Sequence, residues 1–77
     1  MKLTDIGSGN MVSSNRILCV LSPDSLPIRR LVQDAKNSGL LIDASCGKKT
    51  RAVIITDSEL IILSAEEPAE LKKRIEG

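Results

Sequence analysis

The hydrophobic positions follow two rhythms, one of strands and one of helices. Lys2 to Ile6 alternates in the manner of a short strand, and Gly7-Ser8-Gly9-Asn10 turns the chain. Met11 to Ser13 extends a second short strand, which Ser14-Asn15 breaks. Arg16 to Ser22 reads as a full strand with a continuous apolar centre, Ile17 to Leu21. The cluster Ser22-Pro23-Asp24-Ser25-Leu26-Pro27 opens a helix. Ser25 is the favoured cap, because a proline fits only the first turn and Pro27 would otherwise lie too deep. Ile28, Leu31, Val32 and Ala35 then recur at i, i+3, i+4 and i+7, while Arg29, Arg30, Gln33 and Lys36 take the other face. The helix runs to about Ser38, and Gly39 suits the left-handed position that ends it.

Beyond the helix, Leu40 to Ser45 reads as a strand and Cys46 to Lys49 as a turn, the tip of a hairpin with the strand Arg51 to Thr56. Asp57-Ser58-Glu59 leads to a further hairpin partner, Leu60 to Ala65. Glu66-Glu67-Pro68 starts a short terminal helix with acids in its first turn and Lys72, Lys73 and Arg74 near its end, as the helix dipole favours. These elements predict one α+β domain over residues 1–77. Its core is a small, mostly antiparallel twisted sheet of about five to six strands, with one central helix and a short C-terminal helix.

The runs 17–21, 52–55 and 60–63 are unbroken rather than alternating, the mark of strands buried on both faces. One helix of ordinary length covers one face. The other would have to meet a second subunit, unless the terminal helix covers it alone. Size bears on this choice. A chain of 77 residues buries only about 60% of its unfolded surface and usually needs a disulfide, a metal or a partner. Histidine is absent, and Cys19 and Cys46 are too few and too far apart for a zinc site. The start of the chain lacks an apolar signal segment, so a cytoplasmic setting with reduced thiols is expected. No apolar run reaches the ~20 residues of a membrane span. Self-association is the remaining route.

Composition narrows the function further. Without Phe, Tyr or Trp the chain has nothing on which to stack bases, which leaves phosphate and groove contacts as the modes of nucleic-acid binding. The net charge of +1 is uninformative, but its distribution is not. No acid stands between Asp43 and Asp57, where Lys48, Lys49 and Arg51 lie, whereas Asp57, Glu59, Glu66, Glu67 and Glu70 follow without a base among them. Lys48, Lys49, Thr50 and Arg51 are therefore candidates for holding a phosphate backbone, with Arg16 expected in the same region. A merely solvated turn is the plain alternative. Arg29 and Arg30 are further candidates, or ordinary helix-surface residues, with Asp34 one turn from Arg30.

Catalysis has little to use. The commonest general base is missing, and the Gly7-to-Asn10 turn lacks the third glycine of a dinucleotide loop and the Gly-Lys-Ser/Thr of a P-loop. Asp43, between Ile42 and Ala44, would be a buried carboxylate, explained best by hydrogen bonding or pairing with another subunit. No enzyme, metal, cofactor or small-molecule substrate is expected.

At these residues the chain resembles the RemA-like regulators of bacteria, which are associated with extracellular-matrix (biofilm) gene control. The matching stretches are Ile6 to Asn10, Ser14-Asn15-Arg16, Ser22 to Ser25, Pro27 to Arg30, Leu41 to Ala44, Gly47 to Ile54 and Ile62 to Ala65. The resemblance implies a DNA-binding transcription regulator that forms closed, octamer-like rings. DNA would follow the ring, met by strands and loops as in LytTR-type domains. It places Arg16, Lys48, Lys49 and Arg51 on the basic positions expected to meet DNA, and Pro27 on one that shapes the helix start. The family often has arginines at Lys48 and Lys49, an aromatic at Cys46 and a larger residue at Ser8. Lysine keeps phosphate attraction but lacks the bidentate fork.

The sequence therefore leads to a sequence-selective regulator of double-stranded DNA, acting as a homo-oligomer in the cytoplasm at the nucleoid. The alternatives are an oligomeric adaptor protein that uses its acidic 57–70 stretch and an RNA-binding protein.

Overall fold

The computed structural model describes residues 2–77. In chain order it contains β1 (Leu3–Gly7), β2 (Asn10–Ser13), a single 3-10 turn (Ser14–Arg16), β3 (Ile17–Leu21), α1 (Leu26–Asn37), β4 (Leu41–Asp43), β5 (Ala52–Thr56), β6 (Ile61–Ser64) and α2 (Pro68–Glu76). The α+β class holds, with six strands and two helices. The strands divide between two sheets: a β1-β2 hairpin, and a four-stranded sheet in the order β3-β5-β6-β4.

Local chemistry explains the helix ends. Ser25 is the N-cap of α1, in extended backbone, and its carbonyl accepts the first helical bond from Arg29 N–H (3.0 Å). Gly39, at φ +73°, lets Leu40 N–H return to Ala35 O (2.9 Å) and stops the helix. Pro68 opens α2, where its missing N–H costs no helical bond.

In the four-stranded sheet β5 pairs antiparallel with both β3 and β6, and the side chains of β5 and β6 alternate between the faces. Val53, Ile55, Ile61 and Leu63 point to α1, where Ile28, Leu31, Val32 and Ala35 pack on them. Ala52, Ile54 and Ile62 point the other way and meet Leu71 of α2 together with Ile6 and Val12 of the hairpin. Ala52, Val53, Ile54 and Leu71 have no solvent exposure.

Two expectations are corrected here. The second face of the sheet is not left for another subunit, nor does the terminal helix cover it alone. The β1-β2 hairpin and α2 close it together. The segment 44–51 is not a hairpin tip, because β4 runs parallel to β6 at the sheet edge and β6 stands between β4 and β5. The connection therefore crosses the end of β6. A three-residue strand carries no signal of its partner, and β4 gains hydrogen bonds on β6 that β5, already paired on both sides, could not offer.

Among the described residues no helix is long and apolar enough to cross a membrane.

Candidate nucleic-acid interface

The crossing segment 44–51 is shaped at its start by Asp43. Its Oδ1 accepts hydrogen bonds from Ser45 N–H (2.9 Å) and Ser45 Oγ (2.5 Å), and those bonds hold the carboxyl below its ordinary pKa. Asp43 is thus hydrogen-bonded, as expected, but solvent-exposed and not buried. Ser45 O then accepts Lys48 N–H (3.1 Å) across a tight turn. Cys46 and Gly47 adopt left-handed φ values of +54° and +79° there, and a glycine relieves the strain at the second position. The segment rejoins the sheet where Arg51 N–H donates to Ser64 O (2.9 Å).

This geometry stands Lys48 and Lys49 off the end of the sheet. Both are exposed, and neither takes part in an ion pair among the described residues. Thr50 is half-buried. Arg51 differs from the lysines in that its guanidinium donates to Glu67 Oε1 at 2.7 Å. Lys49, Thr50, Arg51 and Glu67 wall a cleft of about 260 Å³, with Ser22, Pro23 and Asp24 on its far side. A neighbouring cavity of about 180 Å³ brings Arg29 to the same end, against Pro23, Thr50 and Val53. Arg30 is exposed on α1, and the pair with Asp34 does not form.

Arg16 lies elsewhere. It precedes Ile17, which pairs with Thr56 at the opposite end of β5, and it faces Asp57 at 3.6 Å. From Arg51 to Thr56 is about 17 Å of extended chain. Within one protomer Arg16 therefore does not join Lys48, Lys49 and Arg51. Arg16 and Arg51 each precede the first residue of neighbouring antiparallel strands, and the reversal puts them at opposite ends of the sheet.

Two acids of the cleft, Asp24 and Glu67, stand in the sequence as part of a helix start and of the acidic stretch, with nothing local to place them beside the basic segment. Glu67 had a signal: once β5 and β6 pair with Ala52 opposite Ser64, the chain after Ser64 must pass beside Arg51. The acidic stretch is also changed by folding. Asp57 pairs with Arg16, Glu67 with Arg51, and Glu66 and Glu70 with Arg74, so Glu59 alone among its five acids has no cation partner among the described residues. Among the described residues there is no group of three or more His, Cys, Asp or Glu side chains placed to hold a metal. Cys19 and Cys46 are both free.

The model of the RemA-like family, described as extracellular matrix regulatory protein A-like, matches residues 3–75. The chain belongs to the RemA-like family. A relative from Thermoanaerobacter sp. (strain X514) is 55% identical over 75 residues, which span 97% of this chain and 78% of the relative. One from Geobacillus thermodenitrificans (strain NG80-2) is 53% identical over 77 residues, covering all of this chain and 88% of the relative. Both carry the name "Putative regulatory protein". The RemA-like chain is thus similar to proteins named for regulation and not for a reaction.

Proposed function

We propose that this RemA-like chain is a sequence-selective, duplex-DNA-binding transcription regulator that acts as a ring-forming homo-oligomer. The observation that carries this reading is the pair of exposed, unpartnered ammonium groups on Lys48 and Lys49. A tight turn holds them at one end of the sheet, with Arg51 and Arg29 beside them. Such a group neutralises phosphates without needing base contacts. Arg16 contributes from the other end. The separation of about 17 Å is near half of a ~34 Å duplex turn, so one protomer can touch backbone on both sides of a groove.

Self-association has a physical basis other than an uncovered sheet face. β3 is an edge strand with a bulge between its pairs at Ile17 and Cys19, and Leu18, inside that bulge, is 66% exposed. It borders a groove of about 460 Å³ between β3 and α2, lined by Ile17, Val20, Ala69 and Ile75. A few cations per copy bind weakly, and repetition around an assembly supplies avidity.

The adaptor reading loses support because most of its acidic surface is neutralised internally. A salt series of duplex binding tests the DNA reading. Each phosphate neutralised adds about −0.9 to the slope of log K against log salt. Replacing Lys48 or Lys49 with Ala should weaken binding to every sequence and flatten that slope by about one unit per copy engaged. No retention of duplex at low salt, or RNA displacing duplex at equal concentration, would overturn it.

A further inference from the structure

The cations Lys48, Lys49, Arg51 and Arg16 are not in the same state, and Arg16 stands at the opposite end of the sheet from the other three. Lys48 and Lys49 are free, whereas Arg51 is held by Glu67 at 2.7 Å and Arg16 by Asp57 at 3.6 Å. The cleft beside Arg51 is charge-balanced: Lys49 and Arg51 face Asp24 and Glu67. An incoming phosphate therefore meets a carboxylate already seated on the one guanidinium of the segment. Glu67 occupies the N-cap position of α2, yet its side chain makes no capping hydrogen bond and turns to Arg51 instead. No hydrogen bond ties that carboxylate to α2, and among the described residues its one polar contact is with Arg51.

Resting on the DNA-binding reading above, we propose that Glu67 is a competitive cap on Arg51 that lowers duplex affinity until a phosphate or base edge displaces it. The lysines make the first, sequence-blind encounter as point charges. Arg51, with its planar fork, exchanges Glu67 for the nucleic acid only where the geometry is good enough to replace a charge-assisted hydrogen bond. Loose complexes held by the lysines leave the cap seated, so Arg51 contributes only to complexes whose contacts outweigh the Glu67 pair. Both partners are substantially exposed, at 49% and 61%, so the competition is modest and reversible.

A double-mutant cycle on the full chain tests this, with binding to a duplex measured at several salt concentrations for the unaltered chain, Glu67→Gln, Arg51→Ala and the double variant. Glu67→Gln should tighten binding to target duplex by about two- to fivefold, the range of an exposed ion pair, with no larger gain on random duplex. In the Arg51→Ala background the same change should do nothing. Circular dichroism melting of Glu67→Gln should match the unaltered chain, because the carboxylate does not cap α2. Weaker binding by Glu67→Gln would make Glu67 a positioning residue for Arg51 and overturn the cap. An equal gain in the Arg51→Ala background would reduce the effect to general charge and overturn it as well. Absence of duplex binding by the unaltered chain would instead remove the DNA-binding reading itself, and the cap with it.

Discussion

Ser64 has no exposure to solvent, yet it carries a hydroxyl into the centre of the molecule. Its Oγ donates to Ile6 O (2.7 Å) and accepts from Glu66 N–H (3.0 Å), so one side chain joins the four-stranded sheet to the β1-β2 hairpin and sets the path into α2. Removing the hydroxyl leaves a buried carbonyl without its donor and a backbone N–H without its acceptor. Such losses cost about 1–3 kcal/mol. Ser64→Ala should therefore lower the unfolding free energy by that amount, read as a lower urea midpoint at an unchanged m-value. A neutral result would mean that water replaces both partners. The sequence shows Ser64 only as a polar residue closing an apolar run. Its role depends on a contact with a residue 58 positions away, which periodicity cannot report. The same limit hid Glu67, whose partner Arg51 becomes a neighbour only through the pairing of β5 with β6.

Among the elements, β5, β6 and α1 were legible because their side-chain patterns state their burial directly. An unbroken apolar run buried on both faces describes β5 and β6, and the i, i+3, i+4, i+7 stripe describes the face of α1 that packs on them. It described β3 less well, since an edge strand with a bulge leaves Leu18 outside the ladder. What could not be read was which elements share a layer. The hairpin β1-β2 and the short α2 each present few apolar residues, and only together, through Ile6, Val12 and Leu71, do they close the second face. The basic segment was legible as a charge cluster, but its form as a crossing over β6 followed from a parallel pairing that no local pattern encodes. This arrangement makes Leu71 the anchor of α2. Leu71→Ala should cost about 2–5 kcal/mol, as fully buried leucines do, while Leu71→Met, which nearly conserves volume, should cost under about 1.5 kcal/mol. Equilibrium unfolding compares the two. Equal, small losses would show that α2 is held by its Arg74 contacts to Asp5 O, Glu66 and Glu70 and not by its apolar face.

At the scale of the whole molecule, one protomer already closes both faces of its sheet, so the proposed assembly would be driven by an edge. Among the described residues the most exposed large hydrophobic one is Leu18 at 66%, and it stands where β3 has no neighbouring strand and where the β3-α2 groove opens. A strand edge combined with an apolar groove gives a partner backbone hydrogen bonds and a pocket at once. In the proposed regulator this edge and the basic segment are separate surfaces, and substitution can test them separately. Leu18→Asp removes little burial from the protomer, so its melting temperature should stay close to that of the unaltered chain. Placed against a second copy, the carboxylate would lose its water without gaining a partner. Size-exclusion chromatography with light scattering should accordingly show an assembly for the unaltered chain and a monomer for Leu18→Asp. Duplex binding should fall by at least about tenfold as avidity is lost, although every cation is intact. A variant that assembles normally would place the interface away from β3. A monomer that binds duplex as tightly as the assembled chain would show that repetition is not what makes the weak basic segment effective.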